Sequence, residues 1–160
     1  MATPDFVLAL REKIGHDPLW LSGVTAVVVR GDELLMVRRS DNGAWTPVTG
    51  IIDPGEEPAV AAEREVLEEA GIVAVCERLA WVHTIPRVTY DNGDMSDYLD
   101  LVFVLRYVSG EPHPADGENT DAGWFTRDTL PPHSANMAAR LAAALDAPTG
   151  VTRFERGPRG

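Results

Sequence analysis

The stretch that most constrains what this chain can become runs over residues 40–71. Its first part carries Gly43, Pro47, Gly50, Pro54 and Gly55. That is too many breakers for a long element, and it predicts a shaped loop around short strand pieces. Residues 58–70 then read PAVAAEREVLEEA, with proline in the first turn, strong helix formers inside and Gly71 at the C′ position, which predicts a helix. Ala59, Ala62, Val66 and Ala70 recur at helical spacing and make a narrow stripe of small apolar residues suited to lie close against a sheet. The carboxylates are expected on the other faces.

The sheet is legible around this helix. Residues 24–29, VTAVVV, and 33–39, ELLMVRR, flank Arg30-Gly31-Asp32 and predict two adjacent strands. Residues 72–85 and 98–108 read as two more, separated by the polar loop PRVTYDNGDMSD, and residues 122–126 as a short one. A helix is expected over residues 3–14, ending at Gly15, as a packing or dimer arm, and a closing helix over residues 134–146. Strands and helices mixed without regular alternation imply an α+β or α/β sandwich, helices packed on a mixed sheet. At 160 residues one domain is the default. It is placed at 20–146, after a helical arm at 1–19 and before a mobile tail at 147–160.

Charge narrows the partners. With 25 acidic and 14 basic residues the net charge is −11, so no basic face is expected to grip a nucleic-acid backbone. No apolar run reaches the length of a membrane span, and the N-terminal residues carry no basic lead into an apolar block, so a cytoplasmic, non-membrane protein is expected. Cys76 stands alone, which excludes an internal disulfide and a thiolate zinc cluster. An acidic protein still takes an anionic small molecule when a divalent cation lies between its carboxylates and the ligand.

The predicted helix offers such a place. Glu65 and Glu69 are four residues apart and Glu65 and Glu68 three, so their side chains project toward one another. Like charges at that spacing repel, and a site for Mg²⁺ or Mn²⁺ needs hard oxygen donors converging from a rigid element. Arg64 and Glu56 are suited to a charge-assisted pair tying the preceding loop to the helix. Spacing alone leaves the alternative open: an ordinary solvated helix with an acidic patch.

Residues 50–72 read Gly, five residues, Glu, seven residues, then Arg-Glu-Val-Leu-Glu-Glu-Ala-Gly-Ile. This run resembles, at every specified position, the signature of the Nudix hydrolases. Chance coincidence at a given start is on the order of 10⁻¹⁰ with ordinary residue frequencies. The resemblance implies an α/β/α sandwich around a mixed sheet, with the signature forming loop, helix and loop. It implies hydrolysis of a nucleoside diphosphate linked to another moiety, by water attacking phosphorus with Mg²⁺ or Mn²⁺ present. Glu65, Glu68 and Glu69 then resemble the metal-ligand and base set, Glu56 and Arg64 the orienting pair, and the main-chain carbonyl of Thr49 an additional ligand. Many members have Gly-Gly where this chain has Thr49-Gly50, and threonine tolerates positive φ poorly, so a local backbone difference is expected there.

Similarity to the MutT-like members brings further candidates. Glu118 stands where they place another acidic ligand or base, although Asp116, Glu118 and Asp121 also fit a solvated loop. Arg38 and Arg39 end a strand on opposite faces, and Arg39 aligns better with a phosphate-contacting arginine. Asn136 resembles a base-contacting asparagine but also fits a helix start. Trp45, Trp81, Tyr90, Tyr98 and Phe125 are available for base stacking or core packing. The loop at 91–97 reads as a substrate-side or solvent loop.

The expected partner is therefore a small nucleotide, with nucleoside triphosphates, ADP-ribose and dinucleoside polyphosphates all open. The resemblance and the apolar N-terminal helix point to a homodimer. Two alternatives compete. An isopentenyl-diphosphate isomerase of the same fold would need a catalytic cysteine, and Cys76 lacks that context. A noncatalytic nucleotide sensor would have lost a carboxylate, whereas here the set is intact.

Overall fold

A computed structural model of the chain describes residues 3–148 and 150–157. Residues 1–2, 149 and 158–160, which belong to the expected arm and tail, lie outside the described residues. The elements run α1 (Asp5–Ile14), β1 (Leu19–Arg30), β2 (Glu33–Arg39), β3 (Trp45–Thr46), β4 (Val48–Ile51), α2 (Pro58–Ala70), β5 (Val73–Thr89), β6 (Met95–Ser109), β7 (Asn119–Thr126), a 3₁₀ turn (Arg127–Thr129), α3 (Ala135–Leu145) and β8 (Arg153–Phe154).

The sheet is mixed, in the order β3-β2-β1-β6-β5-β8, with β4 paired to β1 and β7 to β2. Strands β1 and β6 run parallel over eleven residue pairs, Leu19 opposite Ser96 to Val29 opposite Arg106. The period of two along β1 assigns its faces. Val24, Ala26 and Val28 pack with Ala61, Ala62, Val66 and Ala70 of α2. Val27 packs with Leu141, Ala143 and Ala144 of α3, and Leu21 with Val7 of α1. Helix α2 thus covers one face and α1 with α3 the other, which is the three-layer sandwich the resemblance implies.

Helix α2 has the expected bounds, with Pro58 in its first turn and Gly71 left-handed at φ 67°, its N–H donating to the Leu67 carbonyl. The faces differ from expectation. Glu65 and Glu69 are each only 5% exposed, because the stripe of small residues brings the backbone so close to the sheet that the flanking carboxylates are covered too.

Two boundaries also move. β5 and β6 consume most of the segment expected to be a polar loop, leaving a turn at 90–94. Val88 and Thr89 favour strand, and Gly93 takes φ 90° while Asn92 Oδ1 accepts from the Asp94 N–H. Within the expected mobile tail, Arg153 and Phe154 pair with Trp81 and Val82. Thr152 Oγ1 donates to the Leu79 carbonyl at 2.9 Å, and the Arg153 guanidinium sits 4.3 Å from the Trp81 ring centroid. Among the described residues no helix is long and apolar enough to cross a membrane.

Candidate active site

The loop after β4 is pinned to α2 by one guanidinium. Arg64 Nε donates to Glu56 Oε1 at 2.7 Å and Nη2 to Glu56 Oε2 at 2.9 Å. Nη2 also reaches the Ile51 carbonyl at 3.3 Å, while Nη1 donates to Glu65 Oε1 and Glu68 Oε2, both at 3.0 Å. Glu56 returns to its own loop, accepting the Asp53 N–H at 3.1 Å. The Arg64 charge holds the Glu56 carboxyl below its ordinary range, and Glu56 in turn raises the arginine.

Glu65 is seated against Gly50. A Cβ at Gly50 would lie 2.1 Å from Glu65 Cδ and 2.2 Å from Oε1, so only glycine admits this carboxylate. Burial pushes the Glu65 carboxyl up to about 7, opposed by the Arg64 charge and assisted by Glu69 and Glu68. Glu69 is raised by burial as well, and its Oε2 accepts from Asn119 Nδ2 at 3.1 Å. Glu68, 53% exposed in its side chain, is the solvent-facing member.

The backbone carries the acidic loop of residues 113–118 to this helix end. The N–H groups of His113 and Ala115 donate to the carbonyls of Ala70 and Glu69, answering acceptors that a helix C-terminus leaves open. Ser40 N–H and Oγ both donate to the Glu118 carbonyl. Asp116 and Glu118 thereby line, with Arg64, Glu65 and Glu68, a cleft of about 240 Å³.

Among the described residues no three histidine, cysteine, aspartate or glutamate side chains form a ready-made cation cage. In this arrangement Arg64 neutralises Glu65 and Glu68 while Asn119 holds Glu69. The donor chemistry fits a hard divalent cation: carboxylate oxygens on one rigid helix, the innermost against a glycine that nothing larger could replace.

The expected site residues separate into two groups. Glu56, Arg64, Glu65, Glu68 and Glu118 come together, and Glu69 adjoins them. Thr49 sits in regular β4 opposite Thr25. No described residue other than glycine has positive φ, so the backbone difference expected at Thr49 does not arise through that route. Arg39 and Arg38 diverge as expected, at a register shift in the β2–β7 pairing that turns Arg39 toward the cavity. Arg39 lines the molecule's large cavity, bonded to Asp41 at 2.6 Å, with Glu69 among the charges acting on it. Arg38 bonds the Gly43 carbonyl outside that cavity. Asn136 is exposed on the first turn of α3 and does not line it, whereas Met137 and Arg140 of the same helix do. Of the aromatics, Tyr90 and Tyr98 line it. Trp45 and Phe125, both partly buried, pack edge to face against the core on the α3 side, and Trp81 stacks on His83.

Sequence reasoning missed Asn119, which lies beside Glu118, and the buried set Thr25, His83, Asp100 and Arg140. A signal existed for the last two: each is a charge inside an apolar run, YLDLVF and AARLAAAL.

A loop, helix and loop pinned by one arginine against a mixed sheet define a class of hydrolases. The NUDIX domain model matches residues 20–145, and the chain belongs to that family. It is 34% identical over 131 residues to a MutT-like protein of Streptomyces ambofaciens, covering 81% of this chain and 79% of that one. It is 35% identical over 108 residues to the NAD-capped RNA hydrolase NudC of Pseudomonas aeruginosa, covering 66% of this chain but 36% of the relative, so it spans about a third of that protein. Among solved structures, an ADP-ribose pyrophosphatase of Streptococcus suis superposes with TM-score 0.67 at 24% identity, over 84% of this chain and 98% of that one. A MutT Nudix hydrolase of Burkholderia pseudomallei gives 0.62 at 27% identity, over 78% and 98%.

Proposed function

We propose that this chain hydrolyses the diphosphate linkage of a small nucleoside diphosphate derivative, by attack of water on phosphorus, with Mg²⁺ or Mn²⁺ as cofactor. The observation that carries the reading is the Glu65 carboxylate, buried against Gly50 and raised to about 7. Such burial of charge costs stability and is concentrated where chemistry needs it.

Glu65, Glu68 and Glu69 would hold the cation, with the Thr49 carbonyl and Glu118 as further oxygen donors. Bound there, a divalent ion neutralises phosphate oxygens and lowers the pKa of water. Arg64, fixed by both oxygens of Glu56, orients Glu65 and Glu68 before ligand arrives, so little reorganisation remains for the reaction. A carboxylate of this set accepts the proton of the attacking water. Arg39, which lines the cavity and feels the charge of Glu69, is placed to take a phosphate oxygen once it leaves exposed Asp41.

The net charge of −11 supports a small nucleotide rather than a polynucleotide as the bound group. Cytoplasmic placement and a homodimer belong to the same proposal. The relative named as a hydrolase of NAD-capped RNA favours a nucleotide over an isoprenoid diphosphate.

The test is product release from nucleoside triphosphates, ADP-ribose, NAD and dinucleoside polyphosphates with millimolar Mg²⁺. Turnover should vanish with chelator and fall at least about 100-fold in Glu65→Gln and Glu69→Gln. Turnover indifferent to chelation and to both substitutions would refute the assignment. Tight nucleotide binding with no hydrolysis of any member would replace it with a sensor.

A further inference from the structure

On the face opposite α2, a cavity of about 510 Å³ extends from Thr49 and Gly50 of β4 to Asp100 of β6 and Arg140 of α3. Its volume lies within the range of small-molecule sites. Asp100 is 2% exposed and Arg140 4%, and behind them lie Thr25 and His83 at 0% and 7%. Arg140 Nη1 donates to Thr25 Oγ1 at 2.8 Å. The threonine hydroxyl faces both Asp100 oxygens at 2.9 and 3.1 Å, and His83 Nε2 lies 2.9 Å from Asp100 Oδ2.

The surroundings of this cluster are apolar. Neighbouring positions on the same face are Val27, Val102, Leu141 and Ala144, and an apolar set of similar volume is often neutral or stabilising where a buried ion pair stands. The cluster is also incomplete. Arg140 Nε is buried with no hydrogen-bond partner among the described residues, the kind of orphan that calls for a ligand or water.

Charge and reach identify the ligand chemistry. Arg140 offers only donors and Asp100, 3.7 Å from its Nη1, only acceptors. The pair is electrically balanced, which suits a neutral group with an acceptor beside a donor and disfavours a further phosphate. β1 separates β4 from β6, and a Cβ at Gly23 of β1 would lie 3.2 Å from the Gly50 carbonyl oxygen and 3.8 Å from Asp100 Oδ1, so the Asp100 carboxylate stands within about 7 Å of β4. A ribose ring bridges that interval. Tyr90 and Tyr98, hydroxyl to hydroxyl at 2.5 Å, supply an aromatic wall.

We propose that Asp100 and Arg140 form a specificity pair that reads the hydrogen-bonding edge of the nucleobase at the far end of the substrate, Thr25 and His83 being positioning residues for Asp100. The pair rests on the hydrolase reading for the identity of the substrate, and binding without turnover separates the two.

The experiment is calorimetric titration of the metal-free full chain with the four nucleoside 5′-monophosphates and with ribose 5-phosphate. One base should bind about 10- to 100-fold more tightly than ribose 5-phosphate, and Arg140→Met should abolish that margin while leaving ribose 5-phosphate binding unchanged. Asp100→Asn, which keeps one acceptor oxygen and replaces the other with a donor, should change the ranking of the bases. Should Arg140→Met fail to fold, Arg140→Lys keeps the charge, loses the planar fork, and should still shrink the margin. Equal binding of all four bases and ribose 5-phosphate by the wild type, no binding of any, or equal weakening of every ligand in the variants overturns the pair. Base-selective binding in a protein that hydrolyses nothing would leave the pair standing and remove the hydrolase.

Discussion

Gly50→Ala is a one-methyl perturbation aimed at a buried carboxylate. The new Cβ would lie 2.1 Å from Glu65 Cδ, 2.2 Å from Oε1 and 2.3 Å from Cγ. Ordinary carbon contact begins near about 3.5 Å, so the carboxyl must retreat by more than about 1 Å. It has little room: α2 is fixed by Ala61, Ala62 and Val66, all at 0% exposure, and Arg64 holds Oε1 at 3.0 Å. Overpacking of this kind costs about 1–3 kcal/mol, and a reacting group displaced by about 1 Å loses roughly 100-fold in rate. The decisive measurement is a double-mutant cycle by denaturant unfolding. Because the clash is with the Glu65 side chain, Gly50→Ala should cost about 1–3 kcal/mol in the wild type and close to nothing in a Glu65→Ala background. An equal penalty in both backgrounds would show that Gly50 is required by its own backbone, and the account of why glycine stands there would be wrong.

Other outcomes follow from the same geometry. In the metal-free protein Glu65 has a folded pKa of about 7 against 4.5 for the ordinary carboxyl. Stability is therefore undiminished below about pH 4.5 and falls as pH rises toward 7, by up to about 3 kcal/mol. Thermal melts should show this slope, Glu65→Gln should flatten it, and saturating Mg²⁺ should restore stability at pH 8; a slope unchanged in Glu65→Gln assigns it to other groups. Glu56, lowered by Arg64, acts in the opposite sense, its stabilisation present above about pH 4.5 and lost as pH falls further, and comparing Glu56→Gln with wild type between pH 3 and 6 checks this. Arg39→Ala should raise KM about 10- to 100-fold, as expected for a charge-assisted bond, while Arg38→Ala changes it less than about twofold; similar effects of the two would reject the division of faces. Asn136→Ala should leave KM unchanged and stability within about 0.5 kcal/mol, and a large KM effect would return Asn136 to the ligand site.

What the chain discloses on inspection depends on the range of the interaction that sets each feature. Helix α2 is legible residue for residue because its start, its end and its stripe are local: Pro58, Gly71 and the alanines act within a turn or two. The Glu56–Arg64 pair is legible for the same reason, eight residues apart across one loop. The burial of Glu65 is not, because it depends on the absence of a side chain at Gly50, fifteen residues upstream on a strand. Asn119 reaches Glu69 over 50 residues and Arg140 reaches Thr25 over 115, separations at which periodicity carries no information. The hairpin at 90–94 was hidden by composition. Its polar residues suggest loop, and the pairing of β6 with β1 from Ser96 onward and with β5 back to Met95 is a tertiary effect.

Strand β4 shows how two requirements share four residues. Alternation sends Val48 and Gly50 toward α2 and Thr49 and Ile51 toward the opposite face. Val48 accordingly joins the α2 core and Ile51 the α1 core. Gly50 must be small because Glu65 fills the space where its side chain would be, whereas Thr49 meets the cavity and is under no such demand. Substitutions on one parity of this strand should therefore alter the acidic cluster, and those on the other the fit of what enters the cavity. Thr49→Val, which keeps shape and removes only the hydroxyl, is the sharpest case. It should leave the Glu65-dependent pH slope intact and register only in KM, and a changed slope would mean that the two faces are coupled through the strand rather than divided by it.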